Sequence, residues 1–153
     1  MVWPPDSPWA PWWRTSKKVA RAMCRLAKVG EKDVIYELGS GDATALITAS
    51  REFGSRGVGI EIDPLRFFIS SILLHSNRVQ NKVQIKRKNF FDEDLSPATV
   101  IFVYLVPKAL ERLLPKFEKE LKKGTRIVSY RYKINLPLEK YDKKNDLRLY
   151  TIK

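Results

Sequence analysis

The stretch DVIYELGSGD, residues 33–42, decides how the rest of the chain is read. Its first six residues read as a buried strand, and its last four form a glycine turn that opens directly into a helical pattern beginning near Ala43. Gly39 and Gly41 allow a tight turn and let a ligand come close to the backbone. The acid Glu61 stands 22 residues beyond Gly39, at the end of the next apolar run. A carboxylate there can accept hydrogen bonds from both hydroxyls of a ribose. A glycine pair alone would be weak evidence. The strand, turn and helix together with a correctly spaced acid point to a nucleotide-type ligand.

Outward from this unit the pattern alternates. Ser16 caps a helix expected to run to about Val29, with Val19, Met23 and Leu26 on one face and Gly30 ending it. A helix spans about Ala43 to Phe53, and residues 57–62 form a second strand. Pro64 begins a helix to about Asn77, within which the apolar stretch Phe67 to Leu74 reads as buried. Strands follow at 83–88 and 99–104. A helix covers 107–121 with Leu110, Leu113, Leu114, Phe117 and Leu121 inward and Gly124 as its cap, and a strand covers 125–130. Two weaker strands, around 138–141 and 147–152, are joined by the turn KKND (143–146). Strands alternating with helices predict an α/β fold with a mostly parallel sheet, helices on both faces and an antiparallel C-terminal edge.

The turn also selects its ligand. A pyrophosphate-binding turn would read G-x-G-x-x-G, and its third glycine position holds Thr44. Glu37 and Asp42 flank the turn and would repel a pyrophosphate. Two carboxylates suit a ligand carrying an amino group and a positive sulfonium, and S-adenosyl-L-methionine is such a ligand. Asp42 is also placed to cap the helix, and the two roles are compatible.

The 153 residues fit one domain, residues 1–153, in which residues 1–14 (MVWPPDSPWAPWWR) form an arm holding all four tryptophans. Its four prolines forbid regular helix, and so many tryptophans imply packing on the domain. No run approaches the ~18 apolar residues needed to span a bilayer, and the N-terminus lacks the order of a signal peptide. The single cysteine, Cys24, lies on a helical face and reads as an inert packing residue, consistent with a reducing, cytoplasmic setting. The net charge of +12 favours an acidic partner, nucleic acid included, and equally describes a solvated surface. A small domain of this kind is expected to be a monomer.

ELGSGD (37–42) followed by GVGIEID (57–63) resembles the first two motifs of class I, seven-strand S-adenosylmethionine-dependent methyltransferases, which implies a Rossmann-like, doubly wound fold. KNFFDEDLSPATVIFVYLVP (88–107) and LPKFEKELKKGTRIVSYRY (114–132) resemble the small archaeal protein-lysine methyltransferases and their mitochondrial relatives that modify membrane proteins. GTRIVS (124–129) is similar to a strand of the histone lysine methyltransferases that lack a SET domain. The resemblance implies that Asn89 meets the adenine amino group beside the Phe90 amide, that Phe90 or Phe91 packs on the purine or fills the core, and that Thr15 lies near the methionine end. Ser16 stands where the archaeal enzymes carry a proline, Ala43 where many members carry a third glycine, and the tail after Tyr130 is short.

Function then turns on the acceptor. The end of the fourth strand faces the transferred methyl and here reads VYLVP (103–107). Tyr104 can line an acceptor channel and accept a hydrogen bond from an amine, with Trp12 and Trp13 completing an aromatic wall or, equally, capping the core. Enzymes acting on exocyclic base amines carry an Asp/Asn-Pro-Pro-aromatic tetrad there, which VYLVP is not. Cys24 is misplaced for cytosine C5 chemistry, His75 lies in the helix after Glu61, and no Cys/His cluster suggests a metal. The expected activity is protein-lysine N-methylation, with RNA methylation as the alternative.

Overall fold

The computed structural model describes residues 15–153; residues 1–14, and with them Trp12 and Trp13, lie outside the described residues. Ser16 accepts from the Val19 amide at 3.1 Å and starts α1, Lys17–Leu26. This helix stops short of Gly30. Val29 donates to Cys24 O and Lys28 to Arg25 O, a closure that puts the left-handed residue at Lys28, φ 52°. Lys28 rather than Gly30 therefore makes the turn, and a Cβ on Gly30 would meet nothing within 4 Å.

The elements that follow are β1 (Val34–Leu38), α2 (Thr44–Phe53), β2 (Arg56–Ile60), α3 (Pro64–Ser76), β3 (Val83–Lys86), a single 3-10 turn (Phe90–Asp92), β4 (Val100–Val103), α4 (Pro107–Glu120), β5 (Arg126–Tyr130), β6 (Lys140–Asp142) and β7 (Leu147–Thr151). They build one seven-stranded sheet in the order β3-β2-β1-β4-β5-β7-β6, with β1 to β5 parallel. β7 runs antiparallel to both β5 and β6, so the antiparallel strand lies one place in from the edge. Gly124 is not the cap of α4. That helix ends at Glu120, and Gly124, at φ 92°, donates to Ile152 O at 2.8 Å and docks the turn before β5 on the end of β7.

Each face of the sheet carries its own core. On one, α1, α2 and α3 bury Met23, Leu46 and Leu74 against Ile35, Phe102 and Val128. On the other, α4 sets Leu110, Leu113 and Phe117 against Ile101 and Ile127, and the chain after β5 completes the cover. There the Ile134 amide donates to the Tyr150 hydroxyl at 3.0 Å. Cys24 is fully buried, and burial pushes its thiol up to about 12, so it packs as a small apolar residue.

The apolar segment of α3 departs from expectation. Only Ser70 and Leu74 of that helix are buried, while Leu65, Phe68, Ile69 and Ile72 are exposed on one stripe. The helix covers the β2–β3 side of the sheet with one face, and among the described residues its outer face has no core against it. Opposite the glycine turn, where the parallel strands begin, Asp33 accepts from the Gly30 amide (2.9 Å), the Thr99 hydroxyl (2.8 Å) and the Arg126 guanidinium. That cluster ties the starts of β1, β4 and β5 together.

Candidate cofactor site

In a parallel sheet whose order reverses between β2-β1 and β4, the crevice beyond the strand ends at β1 is where a ligand enters. The glycine turn sits there. Gly39 and Gly41 have φ of 75° and 59°, and Ala43 follows at 68°. Three left-handed residues within five make a tight loop, held by Gly39 and Ser40 amides donating to Ile60 O at 2.9 and 3.1 Å. Ala43 is thus not a helical residue. It is the left-handed N-cap of α2, a conformation that costs an L-residue roughly 1 kcal/mol and explains a preference for glycine there. Asp42 Oδ1 accepts from the Thr44 amide (3.1 Å) and hydroxyl (2.7 Å), which supplies the capping interaction that Ala43 lacks.

Glu37 is buried at the end of β1, and its Oε1 has no hydrogen-bond partner among the described residues. Burial first, then Asp42 and Glu61, pushes its carboxyl well above the usual range. Such a site favours an added positive charge, which would restore the ionised form and give Glu37 Oε1 a donor. Glu61 is also buried and its carboxyl is raised, first by burial, against the amides that favour its charge. Those amides are Gly41 N to Oε1 (2.7 Å) and Asp63 N to Oε2 (2.9 Å). Glu61 therefore clamps the turn to the end of β2 and keeps further lone pairs for a diol. These carboxylate acceptors fit a cationic nucleoside.

Asn89 caps the 3-10 turn, with Oδ1 accepting from the Phe91 amide at 3.0 Å. Its carbonyl is already half engaged by the backbone. Phe90 is buried in the second core, its ring centroid 4.8 Å from that of Phe91, whose face carries the Arg112 guanidinium at 4.4 Å. Thr15 is partly exposed just before α1. His75 is exposed on α3 with Nδ1 3.0 Å from Ser71 O, away from the turn.

Tyr104 follows Val103, which pairs with Leu38 on one side and Ser129 on the other. It therefore sits level with Gly39 and with Tyr130. The Tyr104 ring centroid is 4.5 Å from Tyr130 and 6.3 Å from Tyr132, and its buried hydroxyl has no partner among the described residues. Burial raises the phenol, partly opposed by Arg131, so it is neutral at physiological pH. Tyr130 and Tyr132 were not singled out from sequence, and the run SYRY (129–132) was their only signal. Ser40 and Gly59 were missed too. A Cβ on Gly59 would lie 2.6 Å from Ser40 Oγ, so the second glycine of GVGIEID makes room for the turn.

Three of the lysines are paired with carboxylates. Buried Glu93 takes Lys86 at 2.7 Å and Lys88 at 3.0 Å, and Glu120 takes Lys116 at 2.7 Å. Among the described residues no helix is long and apolar enough to cross a membrane, and no group of His, Cys, Asp or Glu is arranged to hold a metal.

This sheet order and acid-flanked turn define a class I S-adenosylmethionine-dependent methyltransferase, and the comparisons agree. A crystal structure described as an RNA methyltransferase from Salinibacter ruber in complex with S-adenosyl-L-homocysteine superposes with TM-score 0.88 at 36% identity, covering 92% of this chain and 94% of that one. A protein-lysine N-methyltransferase from Saccharolobus islandicus (strain REY15A) is 40% identical over 135 residues, 88% of this chain and 82% of that protein. The model of the ANTKMT methyltransferase domain matches residues 37–137, and the chain belongs to that family. Its cofactor is S-adenosyl-L-methionine.

Proposed function

We propose that the chain is a protein-lysine N-methyltransferase, working in the cytoplasm as a monomer and as one domain over residues 1–153. The observation that carries this reading is the setting of Tyr104. The Tyr104 hydroxyl, which has no hydrogen-bond partner among the described residues and lies among tyrosine rings, would face the acceptor at the strand end where base-amine enzymes carry a polar tetrad. The Saccharolobus islandicus relative bears the same activity in its name, at 40% identity.

Glu37 and Asp42 would hold the cationic amino end of the cofactor, Gly39 and Gly41 would let it approach, and Glu61 would hold the ribose. Asn89 and the Phe90 amide would meet the adenine, and Thr15 would stand near the methionine end. When bound, S-adenosyl-L-methionine supplies a methyl group made electrophilic by the sulfonium. A lysine amine, with an ordinary pKa of ~10.4, must lose its proton before it can attack. Removal from water beside the positive sulfonium would favour the neutral amine at the point of attack. Tyr104, kept neutral by burial, acts as a hydrogen-bond acceptor that orients the amine, not as its base. Trp12 and Trp13 are proposed as the outer wall of this channel.

Two observations favour RNA as acceptor, namely the net charge of +12 and the name of the 36% identical Salinibacter ruber structure. The lysine reading is preferred because the Saccharolobus islandicus relative, 40% identical over 88% of this chain, bears that activity in its name, and because VYLVP (103–107) lacks the tetrad of base-amine enzymes. Incubation with radiolabelled cofactor and a cell extract, followed by protease or nuclease, separates the two. Label lost to protease and mapped by mass spectrometry to lysine supports the proposal. Label lost only to nuclease overturns it.

A further inference from the structure

The turn after β5 holds a cation on an aromatic surface beside the acceptor end of the crevice. The Arg131 guanidinium carbon lies 5.6 Å from the Tyr104 ring centroid and 5.2 Å from that of Tyr130. Tyr132 stacks on Tyr104 from farther out, at an interplanar angle of 22°. Arg131 is itself exposed, while all three tyrosines are partly buried. Its backbone is left-handed at φ 70°, a strained conformation for a long side chain. That conformation is fixed from both sides. The Arg131 amide donates to Asp146 O at 2.8 Å, its carbonyl accepts from Arg148 Nη1 at 2.7 Å, and Ser129 Oγ donates to the Tyr132 carbonyl. The peptide cannot swing away, whereas the exposed guanidinium can leave the rings by rotation about its own side-chain bonds.

We infer that Tyr104, Tyr130 and Tyr132 form a cation subsite for the acceptor lysine's ammonium and its methylated forms, and that Arg131 covers this subsite until the acceptor displaces it. The inference rests on the lysine reading above and adds the residues that recognise the acceptor. Ring faces attract a cation through their quadrupole, and they do so for a protonated, mono- or trimethylated amine alike. A neutral side chain of the same shape lacks that attraction, so the subsite selects charge rather than bulk. A methylated product stays cationic and keeps its affinity for the rings, which favours repeated methylation of one lysine.

The test titrates the full chain, with tyrosine rings labelled with ¹³C, using tetramethylammonium and, separately, neopentyl alcohol, a water-soluble neutral molecule of similar size. Tetramethylammonium should shift the Tyr104, Tyr130 and Tyr132 ring signals, with the alcohol binding at least about threefold more weakly. Arg131→Ala should strengthen tetramethylammonium binding by about threefold or more, and Arg131→Lys should restore the weaker binding of the native chain. Tyr141 carries its own cation, Arg148 at 4.6 Å from its ring on the outer strands, and reports nonspecific cation binding. Equal affinity for the two probes, no gain in Arg131→Ala, or shifts confined to Tyr141 would overturn the subsite. The same variant, Arg131→Ala, should lower KM for a lysine-bearing protein substrate more than it changes kcat. If label goes to RNA, the lysine reading falls whatever the titration gives. If label goes to lysine but the probes bind alike, only the subsite falls.

Discussion

The two ends of the parallel strands are built on opposite terms. Where β1, β4 and β5 begin, Asp33 is saturated, and Arg126 also donates to the Ala27 carbonyl while Val34 N donates to Thr99 Oγ1 at 2.9 Å. Where the same strands end, buried Glu37 Oε1, Ser40 Oγ and the Tyr104 hydroxyl lack hydrogen-bond partners among the described residues. A buried polar atom without a partner costs about 1–3 kcal/mol, so the second end sacrifices stability that the first supplies. The contrast separates what holds the fold from what awaits a ligand. Substitutions at the strand starts should change stability and leave binding alone, and substitutions at the strand ends should do the reverse.

The largest effect is expected from Asp33→Ala. It strips the Gly30 amide, the Thr99 hydroxyl and the Arg126 guanidinium of their common acceptor, and should cost about 2–3 kcal/mol. Thermal unfolding should fall by roughly 5–10 °C for a domain of this size. Calorimetric affinity for S-adenosyl-L-homocysteine in the folded variant should stay within about twofold, since RT ln 2 is a fraction of one hydrogen bond. A large loss of affinity with little loss of stability would show that the two ends are not separable in this way.

Glu37→Gln is the mirror image. Cofactor affinity should drop by about ten- to a hundredfold, the range for losing a bond to a charged group, while thermal stability holds or rises. The pH dependence carries the sign. Glu37 is raised in the folded protein, so between its ordinary and its raised pKa the folded state binds more protons than the unfolded one, and stability falls as pH climbs through that window. A cationic ligand prefers the ionised carboxylate, so affinity should rise over the same window and then level. Glu61, raised by burial as well, adds to the slope with the same sign. Calorimetry across pH should give a rising curve for the native chain and a flatter one for Glu37→Gln; a native curve that falls with pH would rule out this role.

Much of this was readable because it is local. A strand, a turn and a helix succeed one another within residues 33–53, and the acid at Glu61 follows at a spacing set by one helix and one strand. Periodicity placed the strands and helices to within a few residues for the same reason. What escaped depends on contacts between distant segments. Asp33 meets Arg126 across 93 positions, and Tyr104 meets Tyr130 through the β4–β5 register and Tyr132 through the turn beyond it. The α3 stripe was misread because apolar composition reports what can be buried, and the neighbours decide which face is. Gly30 was misread because a left-handed position is fixed by the hydrogen bonds that close a helix, and Lys28 occupies it when those bonds compel it; Gly124 was misread because its positive φ turns the chain into β5 instead of closing α4.

Ala43 tests how much strain the binding end stores. Its left-handed φ predicts that Ala43→Gly relieves roughly 1 kcal/mol, offset in part by the lost buried methyl and the freer unfolded chain. Ala49, equally buried but inside α2, has no strain to relieve. Ala43→Gly should therefore cost about 1 kcal/mol less than Ala49→Gly in denaturant unfolding. Equal costs would mean that the turn is unstrained at this position.

The smallest effect on stability, and the sharpest separation of stability from function, is expected from Tyr104→Phe. The ring keeps its packing 4.5 Å from Tyr130, and only a buried hydroxyl without a partner among the described residues is removed. Removing such an atom should raise stability by about 0.5–1 kcal/mol, where a hydroxyl with a partner would have lowered it by a similar amount. Affinity for the cofactor should not change, because the contacts proposed for the cofactor come from other residues. Turnover on a protein substrate should nevertheless fall about three- to fivefold, the value of one neutral hydrogen bond to the acceptor amine. The loss should appear in kcat rather than in KM, since the bond orients the amine when it attacks and adds little to its capture by the rings. A variant that is less stable and fully active would place the hydroxyl among the structural groups and leave the acceptor to be oriented by something else.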